Sequence, residues 1–203
     1  MFRSGFLTWL LAPLSAVLLT GCSVFGDRSG TEEVAFEVIE RIDDRVEIRR
    51  YGPRQAVAAP MASSNETNSA FRQLFNYISG DNEPETEISM TAPVQMSRQP
   101  ELTGQLADDG AMLFFLPAAM ASAPQPANQD LRVITIPPRT EAVIRFSGTR
   151  GWERVDEFEA ELRAALEGTN WVPQGEPAGY FYDPPWTLPW ARRNEVSLIV
   201  EGS

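Results

Sequence analysis

The stretch FRQLFNYISGDN, residues 71–82, decides the fold prediction. Its apolar residues recur at i, i+3, i+4 and i+7, a spacing that places them on one side of an α-helix. These residues are Phe71, Leu74, Phe75 and Ile78. Gly80 follows them, and glycine readily adopts the left-handed conformation that ends helices. The stretch therefore predicts a helix that buries one apolar stripe against a sheet.

A second helical pattern follows in the other half of the chain. Its apolar stripe consists of Trp152, Val155, Phe158, Leu162 and Leu166. Phe158 follows Leu74 by 84 residues. The dipeptide Pro138-Arg139 follows the dipeptide Pro53-Arg54 by 85 residues. Matching elements at a matching offset indicate a duplicated unit.

Alternating or continuous apolar runs around the two helices predict strands. The runs cover a hairpin at 35–51, then 55–61, 112–116, 131–136, 141–146, 180–182 and 196–200. The segment 117–130, rich in alanine and proline, predicts a surface linker between the halves. We therefore predict an α+β domain over 33–203 with two pseudo-symmetric βαββ-type repeats, about 33–118 and about 131–201. The repeats should form a distorted antiparallel β-barrel or sheet flanked by two long helices.

The composition excludes several classes of function. The chain has 203 residues, a net charge of −11, no His and one Cys, and all 17 of its basic residues are Arg. Without His there is no Ser-His-Asp triad and no imidazole ligand for zinc or haem iron. Without Lys there is no Schiff base and no Walker A loop. The acidic balance argues against nucleic acid, whose phosphates need a basic surface.

The N-terminal residues predict an export signal. Arg3 precedes an apolar run over 6–19, which is shorter than the roughly 20 residues of a membrane-spanning helix. The run ends in LTGC at 19–22, which resembles a bacterial lipobox. We predict a signal peptide over 1–21 and a lipidated N-terminus with a tether over 22–32.

In this prediction Cys22 is the lipidation site and, as the only Cys, leaves the mature protein without a free thiol. An ordinary secretory signal with a chance Cys is the alternative. The resemblance to lipoproteins of Gram-negative bacteria, with Ser23 after the Cys, implies anchoring at the periplasmic face of the outer membrane.

Two further segments are candidates for chemistry. The loop DPPW at 183–186, followed by Trp190 and Arg192-Arg193, is either a buried turn or an apolar wall with anion clamps for a flat ligand. The turn is the simpler interpretation. Met90 is expected to be a core residue, because a thioether is a weak metal ligand without a partner. No acid, nucleophile or metal cluster in the sequence predicts a catalytic site.

Four segments in order, 71–82, 88–94, 182–185 and 192–196, resemble the signatures of the SOUL haem-binding family. The pattern Glu47-x-Arg49-x-Tyr51 is similar to its N-terminal strand, and the resemblance covers nearly the whole chain after the tether. It implies the same architecture of two βαββ-type repeats. It also implies a protein that binds haem or another tetrapyrrole in a hydrophobic cleft beside the first helix. The residue inventory, which removes most pairs of nucleophile and base, predicts a protein that is not an enzyme, although Arg, Asp, Glu and Tyr remain for a hydrolase or for redox chemistry of bound haem.

Carried over by position, the cleft would involve Phe71, Leu74, Phe75, Met90, Tyr182, Trp186, Arg192 and Arg193. Since the chain has no His, haem would bind without an imidazole ligand, through apolar packing and through arginines that hold its propionates. Two alternatives stay open at this point. One is a binding module for another hydrophobic small molecule, and the other is a structural envelope protein that has no ligand.

Overall fold

The computed structural model describes residues 30–61, 67–99 and 110–202. The predicted signal peptide, Cys22 and most of the tether lie outside these residues. The helices are α1 (Thr67–Ile78) and α2 (Trp152–Leu166), with a short 3-10 helix at Pro189–Ala191. The strands are β1 (Glu32–Glu33), β2 (Phe36–Arg41), β3 (Val46–Tyr51), β4 (Arg54–Pro60), β5 (Asn82–Glu83), β6 (Thr91–Ala92), β7 (Val94–Ser97), β8 (Ala111–Phe115), β9 (Gln125–Pro126), β10 (Arg132–Ile136), β11 (Arg139–Phe146), β12 (Trp171–Phe181) and β13 (Asn194–Gly202).

A nine-stranded antiparallel sheet forms the framework, in the order β10-β4-β8-β7-β12-β13-β11-β3-β2. The order is symmetric about the β7–β12 pair, since β4-α1-β7-β8 and β11-α2-β12-β13 take equivalent places on either side. The register repeats as well: Arg54 faces Ile136, and the equivalent Arg139 faces Tyr51. The duplicated α+β unit predicted from the sequence is confirmed.

The sheet is strongly rolled, although its outer strands β10 and β2 do not pair with each other. Arg54 on β4 and Glu141 on β11 lie five strands apart in the order, which in a flat sheet would separate them by about 24 Å. Their side chains are nevertheless joined by a 2.9 Å ion pair. The predicted barrel or sheet is therefore a rolled, open sheet with an interior of its own.

The two helices cover the outer face of the rolled sheet. Every residue of the predicted α2 stripe is buried, and the stripe packs with Phe114 and Phe146 in one continuous core. In α1 the prediction is half wrong. Leu74 and Ile78 are buried, but Phe71 and Phe75 remain 36% and 51% exposed.

Sequence patterns missed some strand lengths. β12 is eleven residues long, whereas the apolar signal covered only 180–182, because its first half is a partly exposed ribbon rich in Gly and Pro. The predicted linker 117–130 contains β9, which pairs with β5 beyond the end of α1. Pro93 follows a cis peptide bond between β6 and β7.

Candidate functional site

The exposed face of α1 carries a pair of aromatic rings. The rings of Phe71 and Phe75 are nearly parallel, with centroids 6.3 Å apart and an interplanar angle of 12°. Phe71 also meets the buried ring of Phe114 edge-on, with centroids 5.2 Å apart. Phe71 is thus held against the core and Phe75 lies beside it, while both side chains remain partly exposed to solvent.

The charge of α1 differs from that of the rest of the protein. Its sequence, TNSAFRQLFNYI, has no acidic residue and a single base, Arg72, whereas α2 carries five acidic residues. Among the described residues Arg72 has no carboxylate partner, and its side chain is exposed. In a chain of net charge −11, the surface around Phe71 and Phe75 is therefore one that an anionic amphipathic molecule can approach.

Leu74 and Met90 belong to the core on which α1 packs. Leu74 is fully buried, and Met90 is partly buried against the same core. The segment that leads to Met90 is joined to the end of α1 by a 2.7 Å hydrogen bond from the Ile88 amide to the Ile78 carbonyl oxygen. The structure therefore places Phe71, Leu74 and Phe75 on one helix and Met90 against the core that this helix covers.

Tyr182 and Arg193 belong to a different environment. Tyr182 is buried in the interior of the rolled sheet, where its hydroxyl donates to Glu195 Oε2 at 2.8 Å. Arg193 pairs with Glu195 and Glu33 at 2.9 Å, and its guanidinium lies 3.8 Å from the centre of the Tyr182 ring. Both side chains have partners within the protein rather than on the α1 surface.

Arg192 and Trp186 lie in the loop between β12 and β13. The Arg192 guanidinium donates to the carbonyl oxygens of Thr187 at 2.7 Å and Pro185 at 2.8 Å, so it holds the loop together. Trp186 is 63% exposed, while Asp183 and Thr187 are buried. The loop is thus a turn with a buried base, held together by Arg192, from which Trp186 projects into solvent.

The structure also assembles an ion cluster that sequence analysis did not select. Glu141 Oε1 accepts hydrogen bonds from Arg139 Nε at 2.6 Å and from Arg54 Nη2 at 2.9 Å. Its Oε2 accepts one from the Tyr180 hydroxyl at 2.8 Å. The two arginines come from the repeated Pro-Arg dipeptides, so the repeat held a signal for this cluster. The duplicated strands converge on one carboxylate inside the rolled sheet.

A second buried carboxylate, Glu195, has a similar set of partners. Its Oε2 accepts from Arg49 Nη1 at 2.8 Å, and Arg193 Nε donates to its Oε1 at 2.9 Å. Burial by itself would raise the pKa of Glu195, but hydrogen bonding and charge from Arg49 and the charge of Arg193 outweigh it and lower the pKa.

The pKa of Glu141 is set by the same opposing effects. Burial opposes its ionisation, but the charges of Arg139 and Arg54 and their hydrogen bonds lower its pKa. Burial and the negative charge of Glu141 raise the pKa of Tyr180. Both carboxylates are therefore ionised, paired and enclosed, which suits stabilisation of the fold and not proton transfer near neutral pH.

Neither a metal-binding cluster nor a membrane-spanning helix occurs in the described part of the chain. Within the described residues, no group of three or more Cys, Asp or Glu side chains is arranged to hold a metal ion. Over the same part of the chain, neither helix is long and apolar enough to cross a membrane.

Comparisons with known proteins agree with this fold. The model of the family described as SOUL heme-binding protein matches residues 31–199. The mouse Heme-binding protein 1 is 30% identical over 134 residues, which cover 64% of this chain and 69% of the mouse protein. The bovine Heme-binding protein 1 is 29% identical over 136 residues, which cover 64% of this chain and 68% of that protein.

Among solved structures, the C-terminal domain of EcmrR shares the fold, with a TM-score of 0.56 and 9% identity. The match covers 78% of this chain and 98% of that domain. At this identity the likeness concerns the fold alone.

Proposed function

We propose, from the premise that this chain belongs to the SOUL heme-binding protein family, that it binds haem or another tetrapyrrole on the exposed face of α1. The observation that carries the proposal is the parallel pair Phe71 and Phe75, which stays exposed although the rest of the apolar stripe is buried. Exposed aromatic side chains that are grouped together on a packed core are typical of a surface that meets a ligand or a partner. In this proposal the protein is a binder and not an enzyme.

The α1 surface fits the macrocycle of a tetrapyrrole. Phe71 and Phe75 would stack on the macrocycle, while Leu74 and Met90 belong to the core that supports α1. Arg72 lies three residues before Phe75, and so next to it on the helix, and has no carboxylate partner among the described residues, so it would pair with a propionate. When bound, haem would supply its iron, to which this His-free chain offers no imidazole. Apolar packing and the charge of Arg72 would therefore provide the binding energy for the tetrapyrrole.

We also propose that the protein is a lipoprotein of the bacterial envelope, anchored through Cys22 after removal of residues 1–21. Each buried methylene of an acyl chain contributes about 0.8 kcal/mol, so several chains would hold the domain permanently at the membrane. The tetrapyrrole site would then face the periplasm from the outer membrane. The intact mass of the protein purified from its own membranes tests this directly, since lipidation adds the mass of the acyl chains to a chain that begins at Cys22.

A porphyrin titration of variants tests the binding site. We expect Phe71→Ala and Phe75→Ala each to weaken the binding of haemin about tenfold, because each removes a large apolar contact. Val172→Ala is the matched control, since Val172 is also exposed, at 48%, but lies at the start of β12. The Soret band of haemin, followed at micromolar protein concentration, reports the affinity.

The outcomes separate the proposal from its alternatives. Loss of binding in the two Phe variants with an unchanged control supports the α1 site. An absence of any spectral change with the unmodified protein would remove tetrapyrroles as ligands and favour another hydrophobic compound or none. Weakening by an Arg192→Ala/Arg193→Ala double variant but by neither Phe variant would place the ligand at the 182–193 loop instead.

A further inference from the structure

A second exposed aromatic surface lies away from α1, in the loop that joins β12 to β13. Trp186 and Trp190 are 63% and 72% exposed, the highest values among the large apolar side chains described. Trp190 also lines an open cleft of about 470 Å³ together with Arg45, Arg145 and Arg192 and with the rings of Phe146 and Phe158. Tryptophan beside arginine at such exposure is typical of a surface that meets a partner.

The loop presents these side chains on a rigid support. Besides its bonds to Thr187 and Pro185, Arg192 contacts the Gly148 carbonyl oxygen at 3.5 Å. The Gly148 amide in turn donates to the Pro189 carbonyl oxygen at 2.8 Å. The segment is thus tied to the end of β11, so little side-chain or loop ordering would oppose binding through the two Trp residues.

Two of the arginines at this surface have no carboxylate partner within the part of the chain that the structure describes. Among the described residues, neither Arg145 nor Arg192 pairs with a carboxylate, and Arg150 donates to the backbone oxygen of Asp183 at 3.4 Å. Partial desolvation and the adjacent charge of Arg192 lower the pKa of Arg150, while the charge of Asp183 acts in the opposite sense. The remaining arginine of the cleft, Arg45, is paired with Glu161. The surface therefore carries a local positive charge in an acidic protein.

The start of the domain emerges next to this loop. Glu33, in β1, is ion-paired at 2.9 Å with Arg193, the residue that follows Arg192. Eight peptide units separate Cys22 from Gly30, and they span at most about 29 Å when fully extended. A lipid on Cys22 would therefore hold the loop close to the membrane at a high effective concentration.

We propose that the surface formed by Trp186, Trp190 and Arg192 with Arg145 and Arg150, here called the Trp–Arg surface, docks on the anionic phospholipid headgroups of the anchoring membrane. Tryptophan side chains are enriched at membrane–water interfaces, where their rings sit at the headgroup level. Arginines near an anionic membrane each strengthen binding about fivefold. In a chain of net charge −11, this locally positive side is attracted to such a membrane, and docking fixes the orientation of the domain.

Vesicle co-sedimentation of the protein lacking residues 1–22 tests the proposal without the lipid. All the described elements lie beyond this deletion. The probes are vesicles of phosphatidylcholine with phosphatidylglycerol and vesicles of phosphatidylcholine alone. We expect binding to the anionic vesicles that weakens with added salt. Arg145→Ala should weaken it about fivefold, and Trp186→Ala/Trp190→Ala on the order of tenfold.

Two controls match these variants. Arg132 is an exposed arginine on the outer strand β10, and Val172 is an exposed apolar residue on β12. Arg132→Ala and Val172→Ala should bind like the unmodified protein. Failure of the unmodified protein to bind anionic vesicles, or equal losses in Arg132→Ala and Arg145→Ala, would overturn the proposal and leave a protein partner as the occupant. The inference uses the proposed anchor for orientation only, and the haemin titration involves the other surface, so the two proposals can fail separately.

Discussion

Glu141→Gln is the substitution that tests the rolled sheet most sharply. The change keeps the shape of the side chain but removes the charge that Arg54 and Arg139 share. Glu141 is fully buried and the two arginine side chains are each 8% exposed, so two guanidinium charges would stay enclosed with no carboxylate between them. Removing one partner of a buried ion pair costs about 3–5 kcal/mol. For a domain of this size, that corresponds to a fall of roughly 6–20 °C in Tm.

Urea unfolding followed by circular dichroism measures this loss. Glu37→Gln is the matched control, because Glu37 pairs with Arg50 where the two side chains are 69% and 59% exposed. Exposed pairs contribute about 0–1 kcal/mol, so this variant should unfold almost like the unmodified protein. If Glu141→Gln cost no more than Glu37→Gln, the cluster would not hold the two repeats together, and this explanation of the rolled sheet would be wrong.

Three further predictions concern stability. The pKa values of Glu141 and Glu195 are lowered in the folded protein, so their ionised forms stabilise the fold. This contribution to the free energy of unfolding is complete above the unfolded pKa of about 4.3 and is lost as the pH falls through the folded pKa. Near-UV circular dichroism should therefore show the domain losing stability below about pH 4, and less steeply in Glu141→Gln. Leu74→Ala should lower the free energy of unfolding in urea by about 2–5 kcal/mol, because the side chain is fully buried. Phe75→Ala should change it by no more than about 0.5 kcal/mol. Equal losses would contradict the exposure of Phe75 on α1. Gly110→Ala should lower the free energy of unfolding by about 2 kcal/mol or more, since Gly110 has a φ of 104° and a Cβ there would lie 2.4 Å from the Ser97 carbonyl oxygen; a neutral result would mean that β8 can shift away from β7.

The fold was predictable because the sequence patterns that indicate it are local and occur in both repeats. The α2 stripe, the strand runs and the repeated Pro-Arg dipeptides reflect helical spacing, strand alternation and duplication, all of which the chain shows without its tertiary contacts. The burial of α1 was predicted only in part. Periodicity shows that Phe71 and Leu74 share a side of the helix, but how much of that side the sheet covers depends on packing.

The candidate site was less predictable, since it depends on which elements meet. The sequence places Tyr182 and Arg193 near the DPPW motif, yet the rolled sheet takes both into its interior and leaves Trp186 outside. The sequence around Glu141 does not predict that it joins two arginines, because a single acidic residue in an apolar strand indicates neither burial nor partners. Its two arginines arrive from strands five places apart in the sheet, a contact that only the tertiary fold produces.

In the proposed site, apolar packing on α1, and not iron ligation, would hold a tetrapyrrole. Parallel titrations of the same protein with haemin and with iron-free protoporphyrin, followed by absorbance and by tryptophan fluorescence, test it most directly. We expect dissociation constants within about threefold of each other, since both molecules present the same flat macrocycle and propionates. Haemin binding that is more than about tenfold tighter would mean that a protein group ligates the iron, at a gain of about 1.4 kcal/mol or more, and would contradict the claim.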